Sequence, residues 1–201
     1  MRNTINELMN WVYRLLAANF YFIIYSFKGF ILMGIFPALA TVYGLCRRWL
    51  LGEFPEIKDY FAEEWPKHKE DCSALGYAML AIGWIFSLNL RIFSDYKSLW
   101  QVLMFNFFTL LSLLWSVSAA ALFAIYSEFE LPRRQYLRLA LLFPIARILY
   151  AALLGVLLYC LNYLLLSWLF PLGIFIGVPA IALLSTVICR HAWRKEFKEK
   201  L

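Results

Sequence analysis

The chain has 201 residues, of which 63% are hydrophobic and only 16% charged, and its mean hydropathy is +0.68. A soluble domain of this length is about a quarter charged and could not bury so many apolar side chains. The composition therefore excludes a water-soluble globular fold and predicts an all-α polytopic membrane helix bundle, with residues 1–201 forming a single integral membrane domain. The formal net charge of +6 comes from basic residues that flank apolar segments. We therefore expect anionic lipid headgroups, and not nucleic acid, as the partner of these charges.

Six apolar segments have the length of transmembrane helices, since about 20 apolar residues cross a bilayer core. They are residues 8–27, 29–46, 74–92, 100–126, 141–168 and 170–189. The first two belong to one stretch that is interrupted only by Lys28-Gly29, so this stretch holds either two spans or an interfacial helix followed by one span. The sequence predicts about six transmembrane helices, with five as the alternative.

A similarity between the second and the last segment favours two spans in the first stretch. Pro-Ala-Leu-Ala at 37–40, followed by Cys46-Arg47, resembles Pro-Ala-Ile-Ala at 179–182, followed by Cys189-Arg190. Either this is an internal repeat in which both helices have a proline kink, or it reflects the general frequency of proline and small residues in membrane helices.

The basic residues predict the orientation of the chain. Of the 19 lysines and arginines, all but Lys28, Arg91 and Lys97 fall at the termini or near two polar connections. These connections cover about 47–73 and 127–140, and the C-terminal tail covers 190–201. The positive-inside rule places both termini and both connections on the cytoplasmic side.

The first connection contains aromatic residues at helical spacing. Tyr60, Phe61 and Trp65 share one face of a helix, and Pro66 is expected to bend or end that helix. The pattern predicts a short amphipathic cytoplasmic helix whose rings lie in the headgroup region.

The second connection repeats this pattern. Pro132 marks a helix start, and Tyr136 lies opposite a basic face that includes Arg138. Two functions are open for the two amphipathic helices: they dock a cytoplasmic partner, or they only connect spans along the lipid surface. The residues predicted to dock a partner are Tyr60, Phe61, Trp65 and Tyr136.

The acidic residues and histidines lie outside the predicted spans. None of the 13 acidic residues and neither histidine falls in the middle of a span, whereas proton-coupled pumps normally use such groups within the membrane. The chain has no H-E-x-x-H motif, and no base lies near a serine or cysteine of the spans. The four cysteines lack metal-ligand and C-x-x-C spacing. We therefore expect a non-enzymatic protein without a catalytic site, a metal site or a cofactor.

Four polar residues are candidates for contacts with an anion or another polar ligand: Arg147, Arg138, Asn106 and Asn162. Arg147 follows Pro144 near the start of the fifth predicted span, so its guanidinium either reaches back to the headgroups or binds an anion. The asparagines either line a polar path or form hydrogen bonds between helices.

Three stretches of the chain resemble the YesL family of bacterial membrane proteins, a domain-of-unknown-function family. They are 36–38 running on to 47–53, then 57–61, then 129–138 reaching Arg147. The resemblance extends from about Leu15 to the C-terminus, with departures at Lys28 and Pro66.

This resemblance implies a multi-spanning protein of the bacterial plasma membrane that is often encoded beside carbohydrate-uptake transporters of the ATP-binding cassette (ABC) type. The implied function is an accessory or regulatory partner of a carbohydrate ABC uptake system, with ABC transporter subunits as partners. The alternative is a small transporter or channel in its own right, since proline-kinked helices in matching positions often mark a transport site.

Overall fold

In the part of the chain that the structure, a computed structural model, describes, every regular element is a helix. The structure describes residues 2–31, 33–94, 98–167 and 170–198, without the side chains of 2–5, 162, 164–174 and 194–198. The prediction of an all-α fold is confirmed. The helices are α1 (Arg2–Lys28), α2 (Ile35–Leu50), α3 (Ile57–Lys67), α4 (Lys69–Ile92), α5 (Leu99–Glu128), α6 (Arg133–Ala146), α7 (Ile148–Ser167) and α8 (Phe170–Lys198).

Several helix ends follow directly from local sequence signals. α5 begins with a capping box, in which Ser98 and Gln101 each satisfy the other's backbone N–H group. α3 ends one residue after Pro66, as predicted, and α6 begins directly after Pro132. The expected break after Lys28 is also confirmed, because α1 ends there.

Fewer helices than expected can cross a bilayer. By length and composition, three stretches of the described chain qualify: Lys69–Ile92, Leu99–Glu128 and Phe175–Trp193. A fourth is added if Arg133–Ala146 and Ile148–Leu161, which are bent by 95° at their junction, form one broken span. The chain is thus a helical membrane bundle, but the predicted six or five spans are not confirmed. α2, with 16 residues, is only about 24 Å long, shorter than the ~30 Å hydrocarbon core.

The first three helices fold back on one another. α2 returns along α1, so that the ring centroids of Trp11 and Trp49 lie 5.9 Å apart. α3 then runs back along α2 and packs against the end of α1, where the centroids of Tyr25 and Phe61 are 5.4 Å apart. The start of α4 therefore reaches the α1–α2 turn, and the Ser73 hydroxyl oxygen lies 3.5 Å from the Met33 carbonyl oxygen.

This arrangement corrects the predicted position of Lys28. The distribution of charges predicts Lys28 on the membrane face opposite to residues 47–73, but its ammonium lies 5.9 Å from the centroid of the Trp65 ring. The physical reason is that α2 is short and α3 folds back along it. Residues 29–46 consequently do not form a span that separates Lys28 from the first polar connection.

α2 and α8 cross through small residues in the core. Ala38, Ala40 and Ala182 are fully buried or nearly so, and the Cys46 thiol lies 3.8 Å from the Pro179 carbonyl oxygen. Pro37 occupies the first turn of α2, where its missing N–H needs no helical partner, so the predicted kink in this helix is wrong.

The outer faces of the long helices remain apolar. Only 17% of the apolar window of α4 is buried inside the protein, and Trp84 is 69% exposed. Exposed apolar surface of this extent requires lipid around it.

Candidate functional site

Two interhelical ion pairs lie where α2 and α5 end and where α4 and α6 begin. Arg47 Nε donates to Glu128 Oε2 at 3.0 Å and joins α2 to α5. The Glu128 side chain is only 7% exposed. Arg133 forms an ion pair with Asp71 and joins α6 to α4. We call this end of the helix bundle, with residues Arg47, His68, Asp71, Glu128 and Arg133, the polar junction.

His68 connects three helices at the polar junction. It lies between α3 and α4, and its Nδ1 is 3.1 Å from the Tyr126 hydroxyl of α5. Its Nε2 is 3.8 Å from a carboxylate oxygen of Glu64. Burial lowers the pKa of His68, and the Glu64 carboxylate opposes this shift only in part. The imidazole is therefore neutral at pH 7, which suits its hydrogen bond to the phenol.

Hydrogen bonds of Tyr136 stabilise the connection between α5 and α6. Its buried hydroxyl donates to the Phe129 carbonyl at 2.6 Å and accepts from the Leu131 N–H at 2.8 Å. Tyr136 was predicted to dock a partner, but its hydroxyl forms hydrogen bonds within the chain. No general sequence motif with the spacing of residues 129, 131 and 136 predicts these two hydrogen bonds.

The aromatic stripe of α3 also faces inward. Phe61 is fully buried between Tyr21 and Tyr25 of α1, and Tyr60 and Trp65 are buried as well. Burial raises the pKa of Tyr60 to about 12. The prediction that these three rings lie in the headgroup region is wrong, because α3 packs between α1 and α2. The rings are not presented to a partner.

Arg147 lies at the break between α6 and α7. Its backbone (φ −130°, ψ 52°) ends α6, and the next helix leaves at 95°. The guanidinium lies 5.3 Å from the centroid of the Trp193 ring. The predicted continuous helix over 141–168 is therefore wrong, and Arg147 is at a corner. Arg138 is exposed on α6.

The described amides and hydroxyls of the apolar part of α4 and α5 mostly bond to their own helix. Asn106, which is exposed, donates to the Val102 carbonyl at 2.8 Å, and Asn89 donates to Ile85 in the same way. Lipid offers no alternative acceptor, so the carbonyl four residues back is used. Asn106 thus neither faces a polar path nor joins two helices. The side chain of Asn162 lies outside the described residues.

A cavity of about 400 Å³ lies between α1 and the α2–α3 connection. Residues of α1, including Tyr13 and Arg14, form one wall, and residues 54–58 form the other. The guanidinium carbon of Arg14 is 3.8 Å from the centroid of the Phe54 ring. This cavity was not predicted from the sequence, because the two segments that form its walls are about 40 residues apart in the chain and share no motif.

The described residues contain no group of three or more histidines, cysteines, aspartates or glutamates placed to hold a metal ion.

Comparison with known proteins gives a family match over most of the first four helices. Residues 15–90 match the profile of the family described as "Protein of unknown function, DUF624". The match runs from within α1 almost to the end of α4 and includes Arg47, His68 and Asp71.

Three curated proteins of Bacillus subtilis (strain 168) are similar to the chain. "Uncharacterized protein YesL" is 24% identical over 146 residues, which is 72% of this chain and 68% of YesL. "Uncharacterized protein YesV" is 30% identical over 62% of this chain and 61% of its own length. "Uncharacterized protein YteU" is 25% identical over 70% of this chain and 63% of its own length. The chain thus spans only about two thirds of each relative, and no solved structure matches it significantly.

Proposed function

Because this chain belongs to the YesL-like DUF624 family of proteins and has several apolar helices, we propose that it is a multi-spanning, non-enzymatic protein of the bacterial plasma membrane. Its proposed role is that of an accessory or regulatory partner of a carbohydrate ABC uptake system. The family resemblance supports the link to carbohydrate uptake. The exposed arginines of α6 support the contact surface, and the number of candidate spans supports the orientation.

The observation that carries the docking role is the basic outer face of α6. Arg134 and Arg138 are exposed one helical turn apart, and neither has an ion-pair partner among the described side chains. The helix beneath them is held in place by the Tyr136 hydrogen bonds and by the ion pair of Arg133 with Asp71. Two exposed guanidinium groups on a helix that is held in place favour recognition of an acidic surface. This moves the docking surface from the rings of α3 to the arginines of α6.

The test is co-purification with a carbohydrate ABC permease from the same genome after mild detergent solubilisation. Arg134→Glu combined with Arg138→Glu reverses the charge of the docking face and is expected to abolish co-purification. Arg91→Glu is the matched control, because Arg91 is equally exposed but lies at the opposite end of α4. Isolation of the unaltered protein alone, with sugar uptake unchanged after gene deletion, would contradict the proposal.

The proposed orientation places both termini in the cytoplasm. Four spans, formed by α4, α5, the bent α6–α7 pair and α8, return the chain to the side on which it began, which supports this orientation. The polar junction and the α6 arginines then share the cytoplasmic face, and Arg91 lies on the other. Reporter fusions at residue 1 and residue 201 test this, since cytoplasmic activity is expected from both.

A second candidate function is transport by the chain itself. The 95° break at Arg147 favours it, because broken helices often surround a transported ion or solute in transporters. Reconstituted liposomes loaded with sugars or ions provide the test. If the flux equals that of loaded liposomes without the protein, transport by the chain is excluded and the accessory role remains.

A further inference from the structure

The cavity between α1 and the α2–α3 connection has a mixed lining. Its charged and amide groups include Arg14 and Lys58, and its apolar wall includes Trp49, Phe54 and Ile57. The volume of about 400 Å³ lies within the range of small-molecule sites and exceeds the needs of a single small ion. The cavity therefore suits a ligand that has a polar head and an apolar body.

The basic groups of this cavity have no carboxylate partner. Arg14 and Lys58 form no ion pair with any side chain that the structure describes, although Glu56 lines the same cavity. Arg14 is only partly exposed, and its guanidinium is held against the face of Phe54. This cation–π contact fixes the plane of the guanidinium and leaves its N–H groups free for an anion.

The cavity also opens onto an apolar stripe of α1. Tyr13 lines the cavity and is 69% exposed. Phe20 and Ile24 follow it at helical spacing, and their side chains are also exposed. An acyl chain that leaves the cavity can therefore follow the outer face of α1 without crossing polar surface.

We propose that this cavity binds the phosphate-bearing headgroup of an anionic phospholipid. The phosphate accepts hydrogen bonds from the guanidinium of Arg14 and from the ammonium of Lys58, and the acyl chains lie on the apolar stripe of α1. Free inorganic phosphate shares the same chemistry, but it would leave the aromatic wall and the exposed stripe without a contact.

Binding is measured with the purified full-length chain in a neutral maltoside detergent. Dihexanoylphosphatidylglycerol, dihexanoylphosphatidylcholine and inorganic phosphate are titrated separately, and affinity is read by calorimetry. The anionic lipid is expected to bind more tightly than the zwitterionic one, and inorganic phosphate is expected to bind more weakly than the anionic lipid.

The variants are Arg14→Gln and Lys58→Gln, with Arg91→Gln as a matched control outside the cavity. Loss of one charge-assisted contact is expected to weaken phosphatidylglycerol binding about tenfold. It is also expected to reduce the preference over phosphatidylcholine, because the choline cation is then repelled by one positive charge fewer. Lys58 is exposed and unpaired, so its variant keeps the test valid if Arg14→Gln does not fold. Helical content by circular dichroism checks the fold of each variant.

Three results would overturn the proposal. One is equal affinity for the two lipids, and another is unchanged phosphatidylglycerol affinity in both cavity variants. The third is inorganic phosphate that competes at the same concentration as the lipid, which would assign the site to the free ion.

Discussion

The polar junction includes one end of α4 and one end of α5, and the outer part of this α4–α5 hairpin, within residues 80–116, is held together differently. At the junction, side chains bond across helices, as in the pair of Arg47 with Glu128 and the contact of His68 with Tyr126. In the outer hairpin, most described polar side chains bond to a carbonyl of their own helix. Asn89, Asn106, Thr109 and Ser112 all do so.

A hydrogen bond at the edge of the outer hairpin does cross between helices. The indole N–H of Trp115 donates to the Met79 carbonyl at 3.1 Å. Its ring approaches α4 at Gly83, where a Cβ atom would meet the ring. Here the contact between α4 and α5 depends on the lack of a side chain at Gly83, which leaves room for the Trp115 ring. Close packing at small residues is common for helix pairs in lipid.

The difference indicates where the arrangement of the helices is fixed. Charged groups are costly inside lipid, so ion pairs that define helix positions are found at the end of the bundle. Within the apolar part of the hairpin, most described polar groups are satisfied within their own helix and contribute little to which helix lies beside which. Variants at the junction are therefore expected to have large effects on stability, and variants in the outer hairpin small ones.

Arg47→Ala is expected to give the largest loss. It leaves the Glu128 carboxylate, which is 7% exposed, without its only ion-pair partner among the described side chains. The free energy of unfolding, measured by SDS titration in mixed micelles, is expected to fall by about 3 kcal/mol.

The double variant Arg47→Met with Glu128→Met is the control for this prediction. Removing both charges leaves no uncompensated buried carboxylate, so the double variant is expected to be more stable than Arg47→Ala. An Arg47→Ala protein as stable as the unaltered one would show that the junction does not fix α2 against α5.

Tyr136→Phe is expected to have an intermediate effect. It removes two hydrogen bonds and leaves the Phe129 carbonyl and the Leu131 N–H without this partner. The free energy of unfolding is expected to fall by about 1–2 kcal/mol in the same titration. Tyr159→Phe, at an exposed position of α7, is expected to change it by less than ~0.5 kcal/mol. Equal losses in both variants would contradict a special role for Tyr136.

Local signals predicted helix type and helix ends well. The prolines at 66 and 132 and the break after Lys28 fall where helices end or begin. The rings of α3 were predicted on the correct helix but on the wrong side of it. An aromatic stripe has the same spacing whether it faces lipid, headgroups or another helix, so the sequence does not distinguish these environments.

Other features depend on contacts between distant segments. The short α2 was mistaken for a span because buried apolar residues and lipid-facing ones have the same composition. The bend at Arg147, three residues after Pro144, had a visible signal in that proline, but its 95° angle did not. The Arg14 cavity needs residues from two separate stretches, so only the fold brings them together.

His68 gives the junction a dependence on pH. Burial lowers the pKa of this side chain in the folded protein below the value of 6.5 in the unfolded chain. The unfolded chain therefore takes up the proton first, and stability is complete above about pH 7 and is lost as the pH falls through 6.5 toward the lower folded value. The carboxylates of Glu64 and Asp71 limit the loss, and the charge of Lys67 adds to it.

The measurement is the free energy of unfolding between pH 7.5 and 5.5. His68→Gln keeps a hydrogen-bonding group beside Tyr126 but has no proton to gain in this range, so its stability is expected to vary less with pH. If the variant loses as much stability on acidification as the unaltered protein, the effect belongs to other groups.

Asn106→Leu is expected to have the smallest effect, because the amide bonds only to the Val102 carbonyl of its own helix and is exposed on the outer face. That carbonyl also accepts the helical N–H, so it keeps a partner when the amide is removed. The free energy of unfolding is expected to change by less than ~0.5 kcal/mol. A loss of about 2 kcal/mol would mean that Asn106 bonds to another helix in the bilayer, and the outer hairpin would then be joined as the junction is.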